Sequence, residues 1–343
     1  MPEIRKDAVV GRWVVFSPER LRRPVNSLVM EKPEPGTPDS DPFSEGNEQY
    51  TPPEVFAIRH EGSEPNGPGW QVRVVPNRFP ALRIEGSLDK EAVGFYDRVN
   101  GVGAHEVVIE SPKTDEALED QKLAGVANVL KAYRKRAQDL SHDKRFRYVL
   151  VFKNVGALAG ASIFHAHSQI IALPMTPTIV REKLITAQKY YLQKDRNIFE
   201  DILRNELKTN ERLVFENAGF AAFCPFASRF PFEMCIMPRL QSPHFHESDD
   251  HQLFLLADAI RKVLRALREA AGAPDYNLII HTAPIKRTDK PDMQTSRHDY
   301  RWHIEILPRL TGIAGFEFGT GFHINPVLPE EAARVLKEVI AHD

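Results

Sequence analysis

The chain has 343 residues, of which 45 are basic and 47 are acidic, so its formal net charge is −2. This balance gives no reason to expect nucleic acid or an anionic membrane as a partner, and a small soluble ligand is the default. No segment approaches the ~18 continuous apolar residues of a membrane helix, and the first residues lack the apolar run of a signal peptide, which predicts a cytoplasmic protein. With Cys224 and Cys235 alone, neither a disulfide framework nor a cysteine-rich zinc site is available.

The N-terminal region holds two distinctive segments. The first, SPERLRRP, places Arg20, Arg22 and Arg23 beside a turn. They form either a solvated basic face or a clamp for a pyrophosphate-containing substrate, because the guanidinium group matches phosphate oxygens. The second, residues 31–54, is rich in proline and acidic residues. It predicts an extended excursion with little regular structure, or a loop that covers a site.

Two long helices are predicted further along the chain, each followed by a β-rich run. Apolar residues recur at helical spacing at Leu123, Val126, Leu130, Tyr133, Ala137 and Leu140, and again at Leu253, Leu256, Ile260, Val263 and Leu267. The β-rich runs are FRYVLVF at 146–152 and YNLIIH at 276–281.

These helices belong to an apparent internal repeat. In the first half PNRFPALR leads to HEVVIESP, a helix, FRYVLVF and SQIIALP; in the second ASRFPFEMCIMP leads to a helix, YNLIIH and WHIEILP. The shared Arg-Phe-Pro and the matched order favour duplication, with chance similarity of short units as the alternative. We expect an α+β fold with two antiparallel-sheet halves, residues 1–195 and 196–343, each with a long helix.

The stretch FHAHSQIIALP ends the first half. On a strand His165, His167 and Gln169 point to the same side. A neutral imidazole, the main form at cytosolic pH, can attack phosphorus. We therefore predict His167 as nucleophile, Gln169 as an amide donor to a phosphate oxygen, and His165 as a structural histidine or metal ligand. The alternatives for His167 are a hydrogen-bonded, half-buried histidine or a metal site that uses both histidines.

A glycine-rich run, NVGALAGAS, precedes this stretch. Glycine allows close approach of backbone N–H groups to phosphate, and Asn154 and Ser162 add side-chain donors around Gly156 and Gly160. Glycine-rich turns are common connectors, so this run alone is weak evidence for a phosphate site. The histidine pair that follows it makes that evidence stronger.

Together these motifs resemble the galactose-1-phosphate uridylyltransferase family, a duplicated branch of the histidine-triad superfamily. The resemblance covers nearly the whole chain through SPERLRRP, VVPNRFPAL, GAHEVVIESP, NVGALAGASIFHAHSQ and GIAGFEFGTGFHINPV. It implies that His167 attacks the α-phosphorus of a nucleotide sugar to form a nucleotidyl-histidine, that Gln169 orients the phosphate, and that the nucleotide then passes to a second sugar phosphate.

The resemblance also implies where substrates bind. The positions that match phosphate and nucleotide contacts are Arg20, Arg23, Asn77, Asn154, Gly160 and Ser162. In the family a C-terminal segment of the neighbouring subunit binds the sugar, and Phe316 and Glu317 match it. A homodimer with a shared active site is therefore expected.

For metals, the resemblance implies a zinc site made by a Cys-x-x-Cys pair and two histidines. Here Asp41 and Ser44 replace the cysteines, while His105 and His165 remain. Serine is a poor zinc ligand, so we expect Asp41, His105 and His165 to form a degenerate site.

A second, structural site in some members uses a glutamate and three histidines. His281 and His303 match two of the histidines, Glu305 replaces the third, and Glu182 lies near the glutamate position. One structural zinc or iron ion is thus conceivable, and none is required for the chemistry.

Substrate identity is the remaining question. Arg78 stands where uridylyltransferases commonly have aspartate, His323 where they commonly have glutamine, and FGTGFHINPV is similar to the plant ADP-glucose phosphorylase branch. The first hypothesis is a UDP-glucose:hexose-1-phosphate (galactose-1-phosphate) uridylyltransferase. The alternative is an ADP-glucose phosphorylase-type adenylyltransferase with phosphate as acceptor. A histidine-triad hydrolase is less favoured, because Gln169 stands where those enzymes usually carry a further histidine.

Overall fold

The computed structural model describes residues 2–22, 37, 40–285 and 296–342. Its strands are β1 Glu3–Lys6, β2 Trp13–Phe16, β3 Phe56–Arg59, β4 Trp70–Pro76, β5 Glu91–Val93, β6 Tyr96–Arg98, β7 Ala104–Ile109, β8 Tyr148–Val155, β9 His167–Leu173, β10 Leu213–Glu216, β11 Phe220–Phe223, β12 Met234–Pro238, β13 Tyr276–His281, β14 His303–Pro308 and β15 His323–Asn325. Its helices are α1 Leu123–Ser141, α2 Thr178–Lys194, α3 Ile198–Thr209, α4 Asp250–Ala271, α5 Ser296–Asp299, α6 Gly315–Thr320 and α7 Pro329–His342.

Ten of these strands form one antiparallel sheet, in the order β10-β11-β12-β14-β13-β8-β9-β7-β4-β3. Each half of the chain contributes three strands, a long helix and two more strands: β3, β4, β7, α1, β8, β9 and then β10, β11, β12, α4, β13, β14. The spatial order is also the same in both halves, so the duplicated α+β fold is confirmed. The halves share a single sheet because β8 pairs with β13, which the sequence did not predict.

The two predicted long helices lie on one face of this sheet. Their apolar positions are buried and form the main core with the strands below. In α4 the helix start is fixed by a capping box, in which Asp249 Oδ1 accepts from the Gln252 amide at 2.7 Å, and the helix ends at Gly272, whose φ of 69° is left-handed. The helical spacing read from the sequence therefore placed both helices correctly.

The opposite face differs between the halves. In the second half α2 and α3 cover it, with Ala187, Phe199 and Leu203 packed against strand residues such as Phe223. Asn197 caps α3 by accepting from the amide of Phe199 at 2.9 Å. In the first half no long helix lies on this face within the described residues. Only a smaller cluster, which includes Phe43 from the predicted excursion, packs against the sheet there.

The excursion at residues 31–54 has, over its described positions, a single helical turn at Glu48–Tyr50. Near the chain ends, β15 pairs in parallel with β2 in a separate small sheet. None of the helices in the described residues is long and apolar enough to cross a bilayer.

The domain boundary at residue 195 stays a prediction. The helix before it, α2, contacts the second half through Lys183, whose Nζ is 2.6 Å from Glu305 Oε1.

Candidate active site

A row of polar side chains crosses the uncovered face of the first half. Val107 and Phe152 both pair with Gln169, on either side of β9. Moving two residues along each strand from the Phe152–Gln169 pair brings Asn154 of β8 opposite His167. Because side chains alternate along a strand, both residues lie on the same face as Gln169. The register therefore places His167, Gln169 and Asn154 on one face of the sheet.

His167 is held in the tautomer that a nucleophile needs. Its Nδ1 lies 2.8 Å from the carbonyl oxygen of His165, so Nδ1–H donates there and Nε2 keeps its lone pair. The side chain is buried, and burial lowers its pKa against the opposing effect of that hydrogen bond. The imidazole thus stays neutral at physiological pH. It lines a cavity of about 200 Å³ together with Asn154 and Gly156.

Gln169 is oriented by His105. His105 Nδ1 accepts from the Ala81 amide at 3.0 Å, so its Nε2 carries the proton and donates to Gln169 Oε1 at 2.7 Å. With its oxygen engaged, Gln169 has its amide N–H groups left to donate. Asn77 lies beside this pair, its Nδ2 being 3.2 Å from His105 Nε2. Gln169 can therefore act only as a donor toward a phosphate.

A buried polar network lies beneath His167, on the α1 side of the sheet. Lys153 Nζ donates to Glu110 Oε2 at 2.7 Å and to the carbonyl of His167 at 3.2 Å. The Tyr133 hydroxyl donates to Glu110 Oε1 at 2.9 Å, and Ser168 donates to the same oxygen. This network fixes the backbone that carries His167. Sequence analysis missed it, although a lysine directly after the apolar run YVLVF was a usable signal.

The glycine-rich turn is held by the second half of the chain. Gly156 has a φ of 82°, and a Cβ there would lie 2.0 Å from Asp275 Cγ, so only glycine fits. Asp275 Oδ2 in turn accepts from the Leu158 amide at 2.7 Å. Asn277 Nδ2 donates to Asn154 Oδ1 at 2.8 Å. These contacts depend on the pairing of β8 with β13, which no local motif reveals.

Two other predicted contacts belong to this turn. Gly160 has a left-handed φ of 87° at its end, and Ser162 is exposed just after it. Both are therefore within the segment that leads directly into β9.

The first expected metal site is filled by hydrogen bonds. Asp41 Oδ2 accepts from Thr114 Oγ1 at 2.8 Å and from Ser44 Oγ at 2.9 Å, and it lies 2.5 Å from His165 Nδ1. His165 Nε2 donates to the carbonyl of Ser111 at 2.7 Å. Both ring nitrogens of His165 therefore lie against oxygen atoms of the protein, and neither is left open toward a zinc ion.

These contacts show that His105 does not belong to the predicted metal site, and they explain the low pKa of Asp41. The structure does not bring His105 to Asp41 and His165; Thr114 takes the fourth place, because His105 points into the cleft. Burial favours the neutral form of Asp41, but hydrogen bonds from His165 and the Phe43 amide outweigh it and hold the pKa well below its usual range. These residues do not fit a zinc ion, because hydrogen bonds that Asp41 makes with Ser44, Thr114 and His165 occupy its place.

The second expected metal group does assemble. Ligand atoms of His281, His303 and Glu305 all lie within 4.8 Å of one another. Glu182 does not join them, because it is exposed on α2, while its neighbour Lys183 is buried and points into the group. The predicted register on α2 was thus wrong by one residue.

The remaining predicted contacts lie outside the cleft or outside the described residues. Arg20 is exposed in the turn Pro18–Arg22, and Arg23 falls outside the described residues. Phe316 and Glu317 lie on the exposed α6, and neither lines the cavity beside His167.

Two positions bear on substrate choice. Arg78 is exposed at the edge of the cleft region, two residues after β4. His323 is half-buried, with its ring 5.6 Å from that of Phe230. Burial and the charge of Arg12 lower the pKa of His323 to about 4, so it is neutral at physiological pH.

Comparison with known proteins identifies relatives along the whole chain. The N-terminal domain of galactose-1-phosphate uridyl transferase matches residues 1–177 and the C-terminal domain matches residues 183–342. ADP-glucose phosphorylase from Arabidopsis thaliana is 37% identical over 342 residues, which cover 98% of this chain and 93% of that protein. Galactose-1-phosphate uridylyltransferase from Thermotoga maritima is 27% identical over 347 residues, covering 98% of each. The crystal structure of the Arabidopsis ADP-glucose phosphorylase with bound ADP-glucose has a TM-score of 0.83 at 36% identity and covers 98% of this chain and 99% of that one.

Proposed function

The chain belongs to the galactose-1-phosphate uridyl transferase family, a family of nucleotidyltransferases, and we propose that it is an ADP-glucose phosphorylase that works through a covalent adenylyl-His167. The comparisons favour this alternative over the uridylyltransferase hypothesis, because 37% identity to an ADP-glucose phosphorylase exceeds 27% to a uridylyltransferase at the same coverage of this chain. The proposed role is in carbohydrate metabolism.

The observation that carries the reaction type is the state of His167. Its Nδ1–H is engaged by the carbonyl of His165, which leaves the lone pair on Nε2, and the residue lines a cavity of about 200 Å³. In the first step Nε2 attacks the α-phosphorus of ADP-glucose, an N–P bond forms, and the P–O bond to the leaving glucose 1-phosphate breaks. The positive charge that develops on the imidazole is stabilised by the hydrogen bond to the His165 carbonyl.

In the second step an oxygen of inorganic phosphate attacks the same phosphorus. The P–N bond breaks, ADP leaves, and His167 returns to its neutral form. Both steps pass through a phosphorus centre with increased negative charge on its free oxygens. The Gln169 amide, held by His105 at 2.7 Å from its oxygen, can donate to one of these oxygens without reorganising. These steps use no metal, so a structural zinc or iron ion is no part of this proposal.

The proposal includes the partners expected from the sequence. Arg20, Arg23, Asn77, Asn154, Gly160 and Ser162 are proposed to contact the nucleotide sugar. Phe316 is 44% exposed and Glu317 lies beside it on α6, away from the His167 cavity of its own chain. This placement supports a homodimer in which α6 completes the partner's active site; the compartment we propose is the cytoplasm.

The test is a panel of donors and acceptors. Purified protein is incubated with ADP-glucose or UDP-glucose, each with inorganic phosphate or galactose 1-phosphate, and the products are separated by anion-exchange chromatography. We expect ADP and glucose 1-phosphate from ADP-glucose with phosphate as the fastest reaction. Faster formation of UDP-galactose from UDP-glucose and galactose 1-phosphate would overturn the substrate assignment, and no turnover of any pair would overturn the enzyme assignment.

A further inference from the structure

A lysine ammonium lies at the centre of the group formed by His281, His303 and Glu305. Lys183 Nζ is 2.8 Å from His303 Nε2 and 2.6 Å from Glu305 Oε1. The lysine is 3% exposed, so these contacts replace hydration almost completely. A positive charge therefore already occupies the space between the atoms that a metal ion would use.

The protonation states agree with this assignment. His303 Nδ1 lies 3.0 Å from the carbonyl of Arg301 and donates to it, which leaves Nε2 as the acceptor for Lys183. The second oxygen of Glu305 accepts from Arg229 Nη2 at 2.6 Å. The lone pairs that His303 and Glu305 would offer to a metal are thus engaged by two cationic side chains.

His281 is held in the group by weaker contacts than the other members. Its ring stacks on that of His303 with centroids 5.1 Å apart. Its Nε2 is 3.4 Å from Glu305 Oε2, and neither ring nitrogen makes a hydrogen bond with the described residues. The imidazole of His281 therefore belongs to the group but makes no hydrogen bond with the ammonium of Lys183.

Charge balance argues against a metal ion in addition to the lysine. Arg229 Nη2 also lies 2.8 Å from Glu233 Oε1, so two cations, Lys183 and Arg229, face two carboxylates, Glu305 and Glu233. A divalent ion would add two uncompensated positive charges to a buried site, which is strongly unfavourable.

We propose that the ammonium of Lys183 takes the place of a divalent cation in this centre, so that an internal charge rather than a metal holds His303 and Glu305 together. The glutamate side chain is one bond shorter than that of lysine, so a carboxylate at position 183 would lie further from His303 than the ammonium does. The gap between the carboxylate and His303 could then hold an ion at a metal–oxygen distance of about 2.0–2.2 Å. Lys183→Glu should thus create a metal site that includes His281.

The test uses Co²⁺ as the probe, because its visible absorption reports protein ligands. Co²⁺ is titrated into the full-length wild type, Lys183→Glu, and Lys183→Glu combined with His281→Ala. Binding is followed by absorption and by metal content after gel filtration. We expect one equivalent of Co²⁺ per chain in Lys183→Glu, none held by this group in the wild type, and loss of the gained equivalent in the double variant.

A second measurement decides the case if Lys183→Glu does not fold. The melting temperature of the wild type is measured with and without EDTA, and we expect no shift. Three outcomes overturn the proposal: a wild-type equivalent of Co²⁺ that disappears in His303→Ala, a folded Lys183→Glu that binds no Co²⁺, or a wild type that melts at a lower temperature in EDTA. None of these readouts depends on the proposed enzymatic activity.

Discussion

His167 in the first half and His303 in the second are buried imidazoles on the same face of one sheet, and each donates its Nδ1–H to the carbonyl two residues earlier, at 2.8 and 3.0 Å. Burial lowers the pKa of both. Both line cavities, of about 490 Å³ for His303 and about 200 Å³ for His167, but they differ at Nε2. The Nε2 of His303 accepts from Lys183 at 2.8 Å, whereas that of His167 makes no hydrogen bond with the described residues. In the proposed reaction the lone pair of His167 is therefore the one that is free to attack a substrate.

The two histidines differ because different elements pack on this face of the sheet in the two halves. In the second half α2 and α3 pack on this face, and α2 supplies Lys183. In the first half none of the described helices packs above β8 and β9, and the charged pair lies on the other side, where Lys153 contacts Glu110. Duplication thus provided two similar frameworks, and in one of them a lysine from α2 occupies the lone pair of the buried imidazole.

The largest expected effect comes from replacing the two histidines in parallel. His167→Asn removes the attacking lone pair and should lower kcat for ADP-glucose phosphorolysis by about 10⁴- to 10⁶-fold. His303→Asn, the matched variant in the other half, should keep most of the rate in samples shown to be folded by circular dichroism. Equal losses in both variants would contradict the distinction between the two halves.

The next effect concerns the donor beside the nucleophile. Gln169→Glu keeps the size of the side chain but replaces the amide donor by a negative charge, so kcat should fall by about 10²- to 10³-fold. His105→Ala leaves the amide in place and removes only its orientation, so the loss should be smaller. The measurement is steady-state phosphorolysis at neutral pH, and a larger loss in His105→Ala would show that His105 has a direct role.

A third prediction compares the two buried lysines. Lys153→Met leaves the Glu110 carboxylate without a cationic partner and should lower the free energy of unfolding by about 3–5 kcal/mol. Lys183→Met should cost less, because Glu305 keeps its ion pair with Arg229. Urea unfolding of both variants measures the difference. Adding Glu110→Gln to Lys153→Met should recover part of the loss if the unpaired charge is the cause.

The smallest effect is in the pH dependence. The reactive form of His167 is neutral, and burial lowers its pKa below the ordinary value of about 6.5. The log of kcat should therefore stay level as pH falls to 6.5 and decline only in more acidic solution, where the imidazole becomes protonated. The same profile in His303→Asn would assign the acidic limb to His167, whereas a limb at or above neutral pH would contradict the burial argument.

Much of this architecture follows from local patterns. The spacing of Leu253 to Leu267 predicted α4, and the shared Arg-Phe-Pro predicted the repeat that the strand order confirms. The alternation of His165, His167 and Gln169 predicted a strand, but β9 begins only at His167. His165 lies before the strand, where its ring turns toward Asp41 instead of the cleft.

What the sequence could not supply was long-range pairing. His105 was grouped with Asp41 by position, yet a contact with Gln169 across two strands decides its role. Asp275 and Asn277 act on the glycine-rich turn only because β13 pairs with β8. Glu182 was placed near the second metal site by the family resemblance, and only the packing of α2 shows that its neighbour Lys183 is the residue that faces inward.

The most direct test of the account is the mass of the intact protein after brief mixing with ADP-glucose in the absence of phosphate. The account predicts a gain of one adenylyl group per chain, located on His167 by peptide mapping, with release of one glucose 1-phosphate, and loss of the adduct as ADP when phosphate is added. Turnover of ADP-glucose without any adduct, or an adduct on a residue other than His167, would contradict it.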